Sequence, residues 1–77
     1  MSVGENIRAL RLRQGWSQRD LADQAGVIAE TISGIETGKR EPRPSTLRKL
    51  ADALGVEVRQ LFGLEPSPVV RRKARRR

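Results

Sequence analysis

Gly26 lies between two short helical patterns, and the sharp turn that a glycine permits there constrains the fold more than any other feature of the sequence. Upstream of it, Ser17 and Asp20 stand at the spacing of a capping box, in which a hydroxyl and a carboxylate cap the first turn of a helix. Leu21 and Ala25 follow at positions i and i+4, so this helix carries one narrow apolar stripe. Because glycine adopts the left-handed conformation without a Cβ penalty, the pattern predicts a helix that ends at Gly26 in a tight turn.

A second short helix is predicted directly after this turn. Val27, Ile32 and Ile35 form its apolar set, the last two at helical spacing, and Gly38 marks its end. Ala22 in the preceding helix leaves room for a second helix to cross close by, since it carries no long side chain. Residues 18–42 are therefore predicted to form two short helices packed across one tight turn.

Three further helices are predicted on either side of this pair. The first covers about residues 3–14 and is stopped by Gly15, the fourth runs from Pro44 to Gly55, and a short fifth helix precedes Gly63. Their apolar residues recur at helical spacing: Ile7 and Leu10, then Leu47, Leu50, Ala51 and Leu54, then Val58, Leu61 and Phe62. Five helices without a credible strand predict an all-α fold.

Composition limits both the core and the available chemistry. A chain of 77 residues can bury only one modest core, so a single small domain is expected. The absence of cysteine, histidine and tyrosine removes disulfides, a Cys/His zinc site and the usual general bases, so neither an enzyme nor a bound cofactor or metal is expected. No apolar stretch approaches the roughly 20 residues of a membrane helix, and no signal peptide is evident, which predicts a soluble cytoplasmic protein.

The formal net charge of +7 is unevenly distributed along the chain. Residues 1–65 contain ten Lys or Arg and nine Asp or Glu, whereas residues 66–77 contain six Lys or Arg and no acid. The segment PSPVVRRKARRR has too little apolar surface to fold. We therefore predict a folded domain over residues 1–65 and a disordered basic tail over residues 66–77. Because the domain is nearly neutral, any attraction to an anionic partner would depend on where its basic residues lie and not on a large net charge.

The helices also carry a specific set of residues: Gln18, Leu21-Ala22, Ala25-Gly26-Val27, Thr31-Ile32-Ser33, Ile35-Glu36, Gly38-Lys39-Arg40 and Pro42, followed by Leu47, Leu50, Ala51, Leu54, Gly55 and Val56. With these residues the chain resembles the XRE-type, lambda-repressor-like (Cro-type) family of helix-turn-helix transcriptional regulators. The resemblance covers roughly residues 4–63. It implies a compact five-helix DNA-binding domain with a central helix-turn-helix.

The resemblance also implies a mode of DNA binding. The third helix would enter the major groove of double-stranded DNA, with the protein bound as a homodimer to a two-fold operator and acting most simply as a repressor. The positions that would face the bases are Ile28, Ala29, Glu30, Ser33 and Gly34. The positions that would contact phosphates are Gln18, Arg19, Thr31, Lys39, Arg40 and Arg43.

The base-facing positions depart from the pattern of the family, which favours Ser, Thr, Gln, Arg or Asn where this chain has Ile28, Ala29 and Gly34. Ile28 and Ala29 could pack on thymine methyl groups, and Gly34 could permit close approach of the backbone. Glu30 could accept a hydrogen bond from a cytosine amino group, or it could be no more than a charge favoured at a helix N-terminus. Ile28 could equally extend the apolar stripe of Ile32.

One pair of residues is implied to be structural. Arg11 matches a family position whose arginine pairs with a glutamate, matched here by Glu36, so an ion pair between the first and third helices is predicted. Removal of one partner should then cost more stability than replacement of both. A simpler alternative stays open for Gln18 and for the loop residues Lys39, Arg40 and Arg43. Their side chains could be only solvated and contact no phosphate.

A protein-binding module is the competing functional interpretation. Helix-turn-helix domains also serve as antitoxins or adapters, and here the domain and its basic tail would engage an acidic protein partner. The tail contains only Val69 and Val70 as larger apolar residues, which favours a nonspecific nucleic-acid tether instead. A homodimer would use Leu61, Phe62 and Leu64, which could equally complete the core of a monomer.

Overall fold

The structure, a computed structural model, describes residues 2–68 and places five α-helices and no strand in that range. The helices are α1 (Val3–Arg13), α2 (Gln18–Ala25), α3 (Ala29–Glu36), α4 (Pro44–Leu54) and α5 (Val58–Leu61). The predicted all-α fold of five helices is confirmed. Of the tail predicted to be disordered over residues 66–77, residues 66–68 belong to the described range, whereas residues 69–77, including Val69 and Val70, lie outside it.

The ends of α2 and the start of α4 follow from local chemistry. The Ser17 hydroxyl accepts the N–H of Asp20 at 3.0 Å, and the Asp20 carboxylate accepts the N–H of Ser17 at 2.9 Å. Gly26 then ends α2 in the left-handed conformation, with φ +75°. Pro44 occupies the first turn of α4, where its missing N–H breaks no hydrogen bond within the helix. These boundaries agree with the sequence prediction.

One hydrophobic core joins the five helices. Helix α2 packs against α3 and α4, while α1 packs against α3, α4 and α5. Trp16, in the loop between α1 and α2, is partly buried against this core. The buried apolar residues are Ile7, Leu21, Ala22, Ala25, Ile32, Ile35, Leu47, Leu50, Ala51, Leu54 and Leu61. Helix α3 is therefore held by α1 and α2 together.

Gly4 allows α1 to approach the last turn of α3 very closely. This glycine is buried, and a Cβ atom at its position would lie 2.1 Å from the carbonyl oxygen of Ile35 and 3.1 Å from the Cα atom of Glu36. No side chain fits there, because the atoms in the way belong to backbone. The sequence offers no signal for this role of Gly4, since the residues that crowd it lie far along the chain.

The C-terminal apolar residues divide between the core and the surface. Leu61 is fully buried, whereas Phe62 is 53% exposed and Leu64 is 55% exposed. Of the three residues predicted to form either a dimer surface or part of the core, only Leu61 completes the core. Ser67 is half-buried and its N–H donates to the Glu57 carboxylate, so the chain stays attached beyond the predicted domain boundary at residue 65.

Candidate nucleic-acid interface

Glu36, at the C-terminal end of α3, accepts hydrogen bonds from two other helices. Arg11 on α1 donates from Nε at 2.8 Å and from Nη2 at 3.0 Å, one bond to each carboxylate oxygen. Gln18 on α2 donates from Nε2 at 3.1 Å. Arg11 also donates from Nη1 to the carbonyl oxygen of Trp16 at 2.8 Å. The structure thus brings together the predicted pair of Arg11 and Glu36, whose side chains are only 8% and 3% exposed.

This network fixes α3 relative to α1 and α2. The hydrogen bonds to Glu36 hold the pKa of Arg11 above its ordinary value, against the opposing effect of burial. A raised pKa means that the stabilisation is fully present below the pKa of an unfolded arginine and is lost only as the pH rises through the folded value. The contribution of Arg11 is therefore constant across neutral pH.

Gln18 occupies the first position of α2 and is half-buried. Its amide nitrogen is the atom that faces Glu36, because a carboxylate can only accept hydrogen bonds. One of the two amide hydrogens is used in this contact, and the second remains for a phosphate oxygen. The Gln18 side chain, which is predicted to contact a phosphate, is thus held by the same carboxylate that positions α3.

The outward residues at the start of α3 differ in their surroundings. Ile28 is 59% exposed and does not extend the stripe of Ile32, which is fully buried. Glu30, in the first turn, is also exposed. Ala29 is partly buried against the core, and Ser33 is half-buried. Among the positions predicted to face bases, Ile28 and Glu30 are therefore the most accessible.

Gly34, also predicted to face bases, is covered by the loop that follows α3. A Cβ atom at its position would lie 2.7 Å from both Cγ and Cδ of Arg40. The carbonyl oxygen of Gly34 accepts the N–H of Lys39 at 2.9 Å and the N–H of Arg40 at 3.1 Å. Close approach of DNA to the Gly34 backbone would therefore require the Arg40 side chain to move.

Three of the predicted phosphate contacts line one groove beside α3. Thr31 comes from α3, Arg40 from the following loop and Arg43 from the N-cap of α4. The groove has a volume of about 240 Å³, and Thr46 adds a second hydroxyl group. Glu41 is the one acid among the residues that line it. Two guanidinium groups and two hydroxyls can donate to phosphate oxygens in this arrangement.

The other predicted phosphate contacts lie elsewhere on the surface. Arg19 and Lys39 are exposed and do not line the groove. Thr46, by contrast, lines the groove although the sequence pattern does not predict a role for it. The sequence does place Thr46 in the first turn of α4, close to Arg43. Which residues of that turn face α3, however, depends on how α3 and α4 pack against each other.

Metal and membrane features are absent from the part of the chain that the structure describes. Among residues 2–68, no group of three or more His, Cys, Asp or Glu is arranged to hold a metal ion. No helix in the same range is long and apolar enough to cross a membrane.

Comparison with known sequences points in the same direction as the geometry. A family model described as helix-turn-helix matches residues 7–61. The competence pilus inhibition repressor of Acinetobacter baylyi is 40% identical over 62 residues, which cover 80% of this chain and 56% of that protein. The transcriptional repressor RghR of Bacillus subtilis is 48% identical over 56 residues, which cover 71% of this chain and 42% of that protein. The chain thus spans about half the length of these relatives.

Solved structures share the fold. The restriction-modification controller protein C.AhdI from Aeromonas hydrophila superposes with a TM-score of 0.76 at 38% identity, over 78% of this chain and 91% of that chain. The P22 c2 repressor, solved in complex with synthetic operator 9T, gives a TM-score of 0.76 at 32% identity, over 80% of this chain and 94% of that chain. Two short helices across a glycine turn, held in a five-helix bundle, define a helix-turn-helix protein. The chain belongs to the XRE-type, lambda-repressor-like family of helix-turn-helix transcriptional regulators.

Proposed function

We propose that this chain is a sequence-specific DNA-binding repressor of transcription that acts in the cytoplasm and places α3 in the major groove of its operator. The observation that carries the proposal is the groove beside α3, in which Thr31, Arg40 and Arg43 come together from three elements. Contacts to phosphates are what position a helix in the groove of a duplex. The relatives named as repressors and the likeness to the P22 c2 repressor bound to an operator support it.

Selection of bound sequences from a random DNA pool tests this function. We expect enrichment of a two-fold motif with half-sites about one helical turn apart, since a homodimer presents two copies of α3. Phe62 and Leu64, both more than half exposed, are the surface that we assign to such a homodimer. A pool without any enriched motif would contradict the proposal and favour the antitoxin-type or adapter interpretation, in which the domain binds a protein.

Glu30 tests direct contact with bases. We expect Glu30→Ala to relax the preference for a C·G pair at one position of each half-site, with about 1–3 kcal/mol of discrimination lost there. The physical reason is that an exposed carboxylate in the first turn of α3 can accept a hydrogen bond from a cytosine amino group. Asp23→Ala, which removes an exposed acid from α2, is the control and should leave the preferred motif unchanged. An identical motif for Glu30→Ala and the wild type would show that Glu30 is only a charge at a helix N-terminus.

The basic tail is assigned a separate role as a nonspecific tether for nucleic acid. Removal of residues 69–77 takes away six Lys or Arg residues. We expect binding to operator and to unrelated DNA to weaken by similar factors, and the slope of log K against log salt to fall by about 0.9 for each phosphate that the shortened chain no longer binds. Replacement of the same six residues by serine, at constant length, should have the same effect. A salt slope that the deletion leaves unchanged would rule this role out.

A further inference from the structure

We propose that Gly34 is a positioning residue for Arg40, and that Arg40, seated on Gly34, clamps a DNA phosphate in the groove beside α3. The inference rests on the proposed binding of DNA and assigns one role to two residues that the sequence treats separately. The sequence analysis predicts a phosphate contact for Arg40 and a base-facing position for Gly34, at which the backbone could approach closely, and it does not connect the two residues.

The loop after α3 is tied to the last turn of the helix by one carbonyl group. The Gly34 oxygen accepts the N–H groups of Lys39 and Arg40, and the Thr37 hydroxyl also donates to it at 3.3 Å. The same hydroxyl donates to the Ser33 carbonyl at 2.9 Å. The Arg40 backbone is therefore fixed against α3 before its side chain is considered.

The Arg40 side chain then crosses α3 where no side chain stands in its way. Its Cγ and Cδ atoms lie 2.7 Å from the place that a Cβ atom of residue 34 would occupy, and its Nε atom lies 3.1 Å from it. Any residue larger than glycine at position 34 would thus displace Arg40. Since the atoms in the way belong to a flexible side chain, the displacement would leave the helix itself intact.

Arg40 is exposed to solvent. Arg40 lines the groove together with Thr31, which lies one helical turn before Gly34, and with Arg43. Among residues 2–68, Arg40 forms no ion pair with an acid. Two guanidinium groups with two threonine hydroxyls form a donor set for phosphate oxygens, and nothing in that set distinguishes one base from another.

Seating on Gly34 gives the clamp its affinity by pre-organisation. A free arginine side chain loses about 2 kcal/mol of rotamer entropy when it is fixed. If the methylene groups of Arg40 already lie against α3 in the free protein, part of this rotamer entropy is lost when the protein folds. Less of it then remains to be lost when DNA binds. Gly34→Ala should therefore weaken DNA binding although it deletes no group that could touch DNA.

The test is a double-mutant cycle on operator binding, measured by fluorescence anisotropy with the selected DNA. We expect Arg40→Ala to weaken binding about tenfold and to lower the salt slope by about 0.9, the amount that corresponds to one phosphate. Gly34→Ala should weaken binding about threefold and leave the preferred sequence unchanged. The double variant should bind no more weakly than Arg40→Ala alone, because Gly34 acts only through Arg40.

Two controls distinguish this clamp from a general effect of positive charge and from a loss of stability. Lys39→Ala removes a neighbouring loop cation. The fold-changes in operator affinity caused by Lys39→Ala and by Gly34→Ala should multiply in the double variant, because the two residues act independently. In the free protein, the Nε–Hε group of Arg40 should show a rigid heteronuclear NOE that falls in Gly34→Ala, and the melting temperature of this variant should not fall.

Three outcomes would contradict the inference. Independent effects of Gly34→Ala and Arg40→Ala, a changed base preference in Gly34→Ala, or an Arg40 NOE that does not respond to Gly34→Ala would each overturn the clamp while leaving DNA binding in place. If the wild-type chain selects no DNA, the proposed function fails, and the NOE comparison then still shows whether Arg40 is seated on Gly34.

Discussion

Glu36→Ala is expected to lower the free energy of unfolding by about 3–5 kcal/mol, the cost of leaving a buried charge without its partner. Arg11 is 8% exposed, so its guanidinium group would lose a bidentate carboxylate without gaining water. Gln18 would lose its acceptor at the same time. Because a core of this size supplies roughly 3–5 kcal/mol in total, much of the variant should be unfolded at room temperature. Urea denaturation followed by circular dichroism measures the change.

Two variants distinguish this effect from a general loss of charge. Glu30→Ala removes an exposed glutamate from the same helix and should change the free energy of unfolding by less than about 1 kcal/mol. Replacement of both partners, as Arg11→Met with Glu36→Leu, should cost less than Glu36→Ala alone, because no unpaired charge stays buried. If the losses in Arg11→Ala and Glu36→Ala add fully in the double alanine variant, the two residues are not coupled.

Gly4→Ala is expected to lower the free energy of unfolding by about 2–3 kcal/mol through overpacking. The added methyl group would lie 2.1 Å from the carbonyl oxygen of Ile35, so α1 and α3 would have to separate. Gly4 is the second residue of α1, where alanine gains less than the roughly 1 kcal/mol that it brings to a helix interior, so the cost of overpacking is larger than this gain. The midpoint of urea or thermal unfolding is the measurement.

Gly34→Ala is the matched control for Gly4→Ala, since both substitutions add one methyl group to a glycine inside a helix. At position 34 the added methyl group meets only the flexible Arg40 side chain, which can move away. The control variant should therefore be as stable as the wild type or slightly more stable. Equal unfolding midpoints for the two variants would show that the close approach of α1 to α3 does not limit the side chain at position 4.

The helix boundaries were predictable because each depends on chemistry within a few residues. Ser17 with Asp20 starts α2, Gly26 ends it, and Pro44 begins α4, and all of these act on the hydrogen bonds of the nearest turn. The apolar spacing of each helix likewise indicates which face is buried. Such patterns carry their information locally, so the fold class followed from them.

The candidate site was predictable only in part. The resemblance to a family supplied the pair of Arg11 and Glu36, which the structure brings into contact. Neither the resemblance nor the spacing showed that Gln18 donates to that same carboxylate. The sequence leaves Ile28 ambiguous between core and surface, because its spacing from Ile32 fits both, and its exposure of 59% places it on the surface.

Composition and local pattern were enough to predict the five helices found among residues 2–68 and the glycine turn between the second and third, and to locate the excess of positive charge in residues 66–77. The roles of Gly4 and Gly34 came from the folded molecule alone, because a missing side chain matters only when another part of the chain approaches its α-carbon. The same holds for the groove of Arg40 and Arg43, which depends on how α3 and α4 are placed. Hydrogen bonds within one helical turn depend on neighbouring residues, whereas the distance between helices is set by the packing of the whole core.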